Sequence, residues 1–268
     1  MFRINSSFYK FFETIQSTLK AEYHLEALSA TACHLYADNQ PLSFVYYLGD
    51  AKERVQVASD KRVLHIDHDV WINKNECLTN RIKSLAGQAQ RIHARDTVAA
   101  RIDKAMAMEF QALHHLQIAL PGKFRYGLFL EGELVCVAIF SGGRKKANQK
   151  EDYRSYELLR FCHKQGLHVV GGFSKLLDIF KEEHQPNDIM TYADKDWSDG
   201  ATYQKLDFEL VSELAPIAFW IDINTLNRYT EGTIPESLIG LTDEERQEQG
   251  YFKHFNSGSL KYVKTLQL

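Results

Sequence analysis

The chain has 268 residues, of which 44% are hydrophobic and 25% charged, a composition typical of soluble globular proteins with one or two buried cores. Disorder, a collagen-like repeat and a disulfide scaffold are all excluded by this balance. The four cysteines, Cys33, Cys77, Cys136 and Cys162, do not have the C-x-x-C spacing of zinc and redox sites. We therefore expect buried thiols in a reducing compartment.

Neither a secretory signal nor a membrane span is expected. Lys10 and Glu13 interrupt the apolar residues near the N-terminus, whereas a secretory signal needs an unbroken apolar region. The longest nearly apolar run, 214–221, is less than half of the roughly 20 residues of a membrane helix. We expect a cytoplasmic protein with no membrane partner.

Charge is distributed unevenly along the chain, although the formal net charge is only −3. Residues 52–104 contain 11 basic and 7 acidic side chains, residues 123–175 contain 10 and 5, and residues 176–268 contain 8 and 17. The two basic regions are candidate surfaces for DNA or another nucleic acid. An ordinary enzyme with uneven solvated charge is the alternative.

The first 95 residues are predicted to form a small α/β segment. Apolar residues at helical spacing predict an amphipathic helix over 6–28, with Ser6 or Ser7 as its N-cap. Strands are predicted over 42–48 and 63–66.

Residues 96–268 are predicted to form a second domain of class α/β (α+β), a mixed twisted sheet flanked by helices. A helix with apolar residues from 102 to 116 comes first. The later elements are strands over 124–130 and 134–140 joined by a hairpin at Glu131-Gly132, a strand over 155–162, a helix over 173–183, a strand over 189–193, a short helix over 199–206, and strands over 208–213 and 217–223.

Gly171 and Gly172 lie between a predicted strand and a predicted helix. Glycine allows backbone amides to approach a pyrophosphate, and a helix N-terminus offers free N–H groups and a partial positive charge. The pair therefore indicates either a phosphate-bearing ligand or simply a tight connection.

Three features stand out together: the helix start 171–177 (GGFSKLL), the segment 200–208 (GATYQKLDF) and the order of the elements. In these features the chain resembles the GNAT acyltransferase superfamily. A narrower similarity is to the GNAT-like domain of phage Mom-type DNA-modification proteins and homing-endonuclease-like proteins. That similarity spans about residues 63–265 and is carried by 110–117, 125–129, 156–162, 169–176, 191–200, 250–252 and 258–262.

The resemblance implies a GNAT-like fold that binds acetyl-CoA or another acyl-CoA. Its pyrophosphate would be held by Val170, Gly171, Gly172, Phe173, Ser174 and Lys175. Tyr203 would protonate the departing thiolate, and His115 matches a histidine of the family. Phe173 stands where the family has a small residue, and His168 stands where it has Arg or Gln.

Three further side chains have both a catalytic and a structural interpretation. Asp194 ends a predicted strand and is either a general base or a turn aspartate. Arg160, in an otherwise apolar strand, either binds a phosphate or an oxyanion or forms a structural salt bridge with Glu157 or Asp194. Ser174 either binds phosphate or caps its helix. Tyr203 and His115 have structural alternatives too, as a core residue and at a helix end.

Upstream, residues 63–74 and 80–82 resemble the closing strand and helix of a restriction-type nuclease. Its Mg²⁺-binding residues have no convincing counterpart among Asp38, Asp50, Lys52, Glu53 and Asp60. This segment is therefore interpreted as degenerate.

Two polar segments remain ambiguous. On a strand, His65, Asp67 and Asp69 would share one face, either as metal ligands or as a polar edge strand. The loop Arg144-Lys145-Lys146 either contacts phosphate or is solvated.

The leading hypothesis is a phage-type, GNAT-like acyltransferase that modifies an amine, preferably on a nucleic-acid base. A non-catalytic or nuclease-derived DNA-binding protein is the second hypothesis, and a Mg²⁺-dependent endonuclease using Asp60, Asp67 and Asp69 is the third. The sequence leaves the acyl donor, the acceptor and the oligomeric state open.

Overall fold

The computed structural model describes residues 5–51, 53–146, 149 and 151–266. In chain order its helices and strands are α1 (Ser6–Leu19), β1 (His24–Ala27), β2 (Ala32–Tyr36), β3 (Leu42–Tyr47), β4 (Arg62–Asp67), α2 (His68–Leu85), β5 (Gln90–His93), β6 (Val98–Arg101), α3 (Lys104–His114), β7 (Phe124–Leu130), β8 (Glu133–Phe140), β9 (Ser155–His163), β10 (Leu167–Val170), α4 (Gly172–His184), β11 (Asp188–Asp194), α5 (Ala201–Gln204), β12 (Glu209–Leu214), β13 (Ala218–Asp222), β14 (Arg228–Tyr229), α6 (Asp243–Glu248), β15 (Tyr251–Phe255) and β16 (Ser259–Thr265).

The chain divides into two compact units, each built from distant segments. Unit 1 comprises Met1–Thr79, Asp194–Ser198 and Leu214–Ser259, and unit 2 comprises Asn80–Ala193, Asp199–Glu213 and Leu260–Leu268. The sequence places a boundary between residues 95 and 96, and that boundary stays a prediction. Within unit 1, late segments join early ones through ion pairs such as Arg54–Asp196, which no local sequence pattern announces.

Unit 1 contains a four-stranded sheet in the order β1-β2-β3-β4, in which β3 and β4 are parallel. The helix α1 packs aromatic side chains against it. The Phe11 ring lies 4.7 Å from that of Tyr46 and 5.3 Å from that of Trp71. Because Phe8, Phe11, Ile15 and Leu19 are all buried, the helical spacing of apolar residues in the sequence correctly predicts α1.

The bounds of α1 differ from the prediction at both ends. Its N-cap is Asn5, whose side chain accepts a hydrogen bond from the Phe8 amide at 2.8 Å, and not Ser6 or Ser7. The helix ends at Leu19 because Lys20 adopts a left-handed conformation with φ 52°. The residues around Leu25, which the sequence assigns to the same helix, form β1 instead.

Unit 1 also contains a three-stranded sheet in the order β14-β13-β15. The helix α6 precedes β15 and begins with a capping box. The Thr242 hydroxyl accepts a hydrogen bond from the Glu245 amide at 3.2 Å, and the Glu245 carboxylate accepts one from the Thr242 amide at 2.7 Å. Each half of the box satisfies an amide that the helix leaves unpaired.

Replacing Thr242 by alanine is expected to lower the free energy of unfolding of unit 1 by about 1 kcal/mol, because the Glu245 amide loses its acceptor. Thr242→Ser is the matched control, since serine keeps the hydroxyl. Urea denaturation followed by tryptophan fluorescence measures the difference, because the chain has three tryptophans and Trp71, Trp197 and Trp220 all belong to unit 1. Equal stabilities of the alanine and serine variants would contradict the role of the cap.

Unit 2 is built on a seven-stranded sheet in the order β12-β16-β11-β9-β8-β7-β6. The strands β6 to β9 pair antiparallel, whereas β9 and β11 are parallel. A mixed sheet flanked by helices confirms the predicted α/β class. The hairpin between β7 and β8 is confirmed at Glu131 and Gly132, which have φ values of 51° and 86°.

Helices cover both faces of this sheet. On one face α4 packs onto the core, with the Phe180 ring stacked 3.9 Å from that of Phe140. On the other face Ala107 and Phe110 of α3 pack against Val137 and Ile139. The sheet is therefore buried from both sides where it meets these helices.

Two features of the strands were not anticipated. The predicted strand over 217–223 exists as β13, but it belongs to the small sheet of unit 1, and β16 lies beside β12 in the large sheet. The additional strand β10 pairs in parallel with β5, which places His168 opposite Arg91. Both features are pairings between distant segments, which periodicity alone does not specify.

Candidate functional site

The strands β9 and β11 of unit 2 are paired only at their beginnings. Asp188 lies opposite Ser155, Ile189 opposite Tyr156 and Met190 opposite Glu157. Beyond this last pair β9 continues to His163 and β11 to Asp194. The two strands therefore part in the middle of the sheet, after the pair of Glu157 with Met190.

A β-bulge marks the point at which β9 leaves β11. Ile139 of β8 lies opposite Arg160, and the next residue, Phe140, lies opposite Leu158. Leu159 is thus an extra residue on β9. A bulge bends its strand and increases the local twist, and bulges occur frequently beside active sites. The bulge gives a physical reason for the divergence.

The Tyr203 side chain of α5 contacts β11 just beyond Met190, the last residue of β11 that pairs with β9. Its hydroxyl is hydrogen-bonded to Thr191, whose own hydroxyl donates to the Leu158 carbonyl of β9 at 3.1 Å. The phenol therefore lies where the two strands begin to separate. Tyr203 has a second, structural role, since its ring packs 5.8 Å from that of Phe208.

The Tyr203 phenol keeps its proton at neutral pH. Burial raises its pKa above the ordinary value, and this outweighs the lowering effects of the positive charges of Arg81 and Arg160. A phenol that stays protonated has a proton that it can give to a departing thiolate.

The helix α4 begins beside β10 with an uncapped N-terminus. Gly171 has a left-handed conformation with φ 77°, and no side chain caps the first amides. The N–H groups of Gly172, Phe173 and Ser174 consequently have no acceptor within the helix. Such a terminus favours an anion. The predicted cofactor residues 171–174 are thus brought together at one helix end.

The remaining predicted cofactor residues have other contacts. The Lys175 ammonium donates to the carbonyls of Ala94 and Thr97 at 2.8 and 2.5 Å. Val170 is paired with His93 in the small parallel sheet. The Phe173 ring is buried, 4.9 Å from the Phe161 ring on the diverging part of β9. A bulky ring thus occupies space beside the start of α4.

The face of the sheet opposite α4 carries an acidic residue that the sequence suggests only as an ion-pair partner of Arg160. Glu157, the last residue of β9 that pairs with β11, is half-buried. Burial raises the pKa of its carboxyl, opposed by the positive charges of Arg144, Arg160 and Lys261. A charge in an otherwise apolar strand is costly to bury, and this feature distinguishes Arg160 in the sequence. The same feature distinguishes Glu157, three residues earlier.

Arg160 and His115 are both held by backbone groups of unit 2. The Arg160 guanidinium donates to the carbonyls of Ile118 and Leu159. His115 is the C-cap residue of α3, and its Nδ1 accepts a hydrogen bond from the Gln117 amide at 3.1 Å. These contacts fit the structural alternatives, and the catalytic roles of both residues stay predictions.

Asp194 belongs to unit 1 and organises the turn after β11. Its carboxylate accepts a hydrogen bond from the Asp196 amide at 3.1 Å, and its carbonyl accepts hydrogen bonds from the Trp197 and Ser198 amides. This is the turn role considered in the sequence analysis. Its role as a general base stays a prediction.

In unit 1, His65, Asp67 and Asp69 do not share one face of a strand, so this prediction is wrong. The strand β4 ends at Asp67, and Asp69 lies in the first turn of α2. Both carboxylates are buried and form ion pairs with Arg228. Over the described residues, no group of three histidine, cysteine, aspartate or glutamate side chains is placed to hold a metal ion. Lys52, a nuclease candidate, lies outside the described residues.

Within the described part of the chain, none of the helices is long and apolar enough to cross a membrane.

Comparison with known proteins gives structural similarity without sequence similarity. No family model and no curated protein matches the chain. Similar solved structures include Naa50 from Arabidopsis thaliana in complex with a bisubstrate analogue (11% identity, 64% of this chain and 99% of that chain, TM-score 0.41) and a GNAT family acetyltransferase from Elizabethkingia anophelis with acetyl-CoA bound (10%, 64% and 99%, TM-score 0.35). A third is the ribosomal-protein-S18-alanine N-acetyltransferase from Escherichia coli (10%, 64% and 95%, TM-score 0.38). At such low identity, an assignment of chemistry has to rest on the chain's own residues.

Proposed function

We propose that the protein transfers an acyl group from acyl-CoA to an amine. The observation that carries this proposal is the divergence of β9 and β11 beside the Tyr203 hydroxyl. A gap between two parallel strands can admit an extended amide chain, as in strand addition. A proton donor stands at the place where the strands separate.

The donor would be held at two places in unit 2. The amides of Gly172, Phe173 and Ser174 at the uncapped start of α4 suit a diphosphate. The edges of β9 and β11 beyond Glu157 and Met190 suit the amide-containing arm of the cofactor. An acyl-CoA thioester supplies an activated acyl carbonyl and a sulfur leaving group.

Two side chains of unit 2 would move protons. The Glu157 carboxylate accepts the proton of the attacking amine as the nitrogen–carbon bond forms. The Tyr203 phenol gives its proton to the sulfur as the carbon–sulfur bond breaks. Each step is general acid–base catalysis, which contributes typically 10²–10⁴-fold to a rate. Solvent then returns the proton from Glu157 to Tyr203 between turnovers.

The preferred acceptor is an amine on a nucleic-acid base, as in a Mom-like DNA modification in the cytoplasm. The basic excess of residues 52–104 and 123–175 supports a polyanionic partner. Arg95, with its side chain 81% exposed, is one of the cations available for such contacts.

Calorimetry and nucleoside analysis test this proposal together. The full-length protein is expected to bind CoA and acetyl-CoA, and DNA from cells that express it is expected to contain a nucleoside heavier by one acyl group. Digestion of the DNA followed by mass spectrometry detects that nucleoside. Unchanged nucleosides together with no binding of CoA would reject the proposal.

A second candidate function is a nucleic-acid-binding protein that uses this fold only as a frame. The buried Phe173 ring, packed against Phe161 beside the start of α4, favours this alternative. The fold alone does not establish chemistry. Salt-dependent DNA binding that survives Tyr203→Phe and Glu157→Gln, in a protein that binds no CoA, would support it.

A further inference from the structure

Three charged side chains and one tyrosine form a polar patch on the face of the large sheet opposite α4. We call Arg144, Glu157, Tyr192 and Lys261 the acceptor patch. Glu157 and Tyr192 share this face because Glu157 pairs with Met190, two residues before Tyr192 on β11, while the alternate residues Ile189 and Ala193 belong to the core beneath α4.

The other two residues are placed by the same alternation. On β16, Leu260 and Tyr262 pack into the core on the α4 side, so Lys261 between them points to the opposite face. Arg144 pairs with Ser155, two residues before Glu157 on β9. Arg144 is exposed and Lys261 is partly exposed. Both cations are therefore accessible to a ligand on the Glu157 side of the sheet.

The balance of charge in the patch is positive. Arg144, Arg160 and Lys261 all act electrostatically on the single carboxylate of Glu157, and Tyr192 interacts with Glu157 and Arg144. An acceptor that reaches Glu157 thus meets more positive than negative charge. A polyamine or a lysine-rich peptide would be repelled, whereas an anionic acceptor would be attracted.

We propose that the acceptor carries a phosphate close to its amine, and that Arg144 and Lys261 bind this phosphate. The inference rests on the proposed acyl transfer, in which Glu157 receives the amine proton. The strands β9, β11 and β16 are consecutive neighbours, so the strand that carries Lys261 lies two strand spacings, about 10 Å, from the strand that carries Glu157. Phosphate oxygens accept charge-assisted hydrogen bonds from several cations at once, which suits two cations on either side of the amine site.

Matched pairs of ligands test the inference by binding and not by turnover. The full-length protein, saturated with CoA so that the donor site is filled, is titrated with deoxyadenosine 5′-monophosphate and deoxyadenosine, and with deoxycytidine 5′-monophosphate and deoxycytidine. The wild-type protein is expected to bind each monophosphate at least about tenfold more tightly than its nucleoside. A short single-stranded oligonucleotide distinguishes the source of the phosphate, because tighter binding than the monophosphate indicates a strand and equal binding indicates a free nucleotide.

Variants assign the preference to the two cations. Arg144→Ala and Lys261→Ala are each expected to reduce the preference for the monophosphate severalfold, and the double variant is expected to abolish it. Lys205→Ala removes an equal charge at an exposed position of the same unit, outside both basic regions, and is expected to leave the preference unchanged.

The two possible failures are distinguishable. Equal affinities for monophosphates and nucleosides, in a protein that binds CoA, would overturn the inference and leave the acyl transfer standing. An undiminished preference in the double variant would also overturn it. Absence of CoA binding would overturn the proposed function and the inference with it.

Discussion

Replacing Asp67 by asparagine is expected to lower the free energy of unfolding of unit 1 by about 3–5 kcal/mol. Asp67 is 5% exposed. Its two carboxylate oxygens accept hydrogen bonds from both terminal nitrogens of Arg54, from Arg228 at 2.7 Å and from the Nε2 of His254 at 2.8 Å. Asparagine keeps the shape of this side chain but removes the charge that three donors share.

The large effect follows from the partners that remain. The side chains of Arg54 and Arg228 are 6% and 22% exposed within unit 1, and their other partners are the buried carboxylates Asp196 and Asp69. Removing the Asp67 carboxylate leaves each guanidinium with one carboxylate instead of two, and it takes a charged acceptor from Arg54, Arg228 and His254. An unsatisfied polar or charged group is expensive in such buried surroundings. An apolar replacement of the whole network would be a different experiment, and its cost would be smaller.

Asp38→Asn is the matched control, because Asp38 is an exposed aspartate of the same unit and its side chain is expected to contribute less than about 0.5 kcal/mol. Guanidinium chloride denaturation followed by tryptophan fluorescence reports on unit 1 alone. A loss of less than about 1 kcal/mol in Asp67→Asn, similar to that in Asp38→Asn, would show that the network does not stabilise the unit.

The same carboxylate makes the stability of unit 1 depend on acid. Burial by itself raises the pKa of Asp67, but Arg54, His254 and Arg228 outweigh it and hold the pKa well below its usual range. A carboxyl with a lowered folded-state pKa stabilises the fold at pH values above its unfolded pKa of about 4, and this contribution is lost as the pH falls further. Below pH 4 the wild-type stability should therefore approach that of Asp67→Asn.

The part of this structure that the sequence predicts best is the sheet of unit 2. The strands β7, β8 and β9, the helix α4 and the hairpin at Glu131-Gly132 all lie close to their predicted positions, because each leaves a local signal of period or turn chemistry. The helix α1 was predicted with a wrong end, since nothing in the local pattern marks the left-handed conformation of Lys20.

The residues of the candidate site also differ in how well local sequence patterns predict them. Gly171 and Tyr203 were found from local motifs and the resemblance they carry. Glu157 was not among the predicted site residues, because its position depends on the register between β9 and β11. The buried network of Asp67 joins residues as far apart in sequence as Arg54 and Arg228. Pairings across such separations are a property of the folded chain and are not specified by spacing.

Replacing Tyr203 by phenylalanine is expected to reduce the rate of acyl transfer by about 10²-fold while the affinity for CoA changes less than about twofold. Phenylalanine keeps the ring that packs against Phe173 and Phe208, so the fold should lose only the hydrogen bond to Thr191, about 1 kcal/mol. The departing sulfur then has no proton donor. Steady-state kinetics gives kcat, and calorimetry gives the affinity for CoA.

Tyr9→Phe is the control, because Tyr9 is 55% exposed in unit 1 and loses the same hydroxyl without effect on kcat.

The variant Glu157→Gln distinguishes the proton that Glu157 accepts from the amine from the proton that Tyr203 gives to the sulfur. Because burial raises the pKa of Glu157, wild-type activity is expected to rise with pH as this carboxyl ionises. The glutamine variant should lose that rise, whereas Tyr203→Phe should keep it at a lower kcat. If Tyr203→Phe turns over at the wild-type rate, the phenol is not the acid that protonates the sulfur, and the ring is there only to pack.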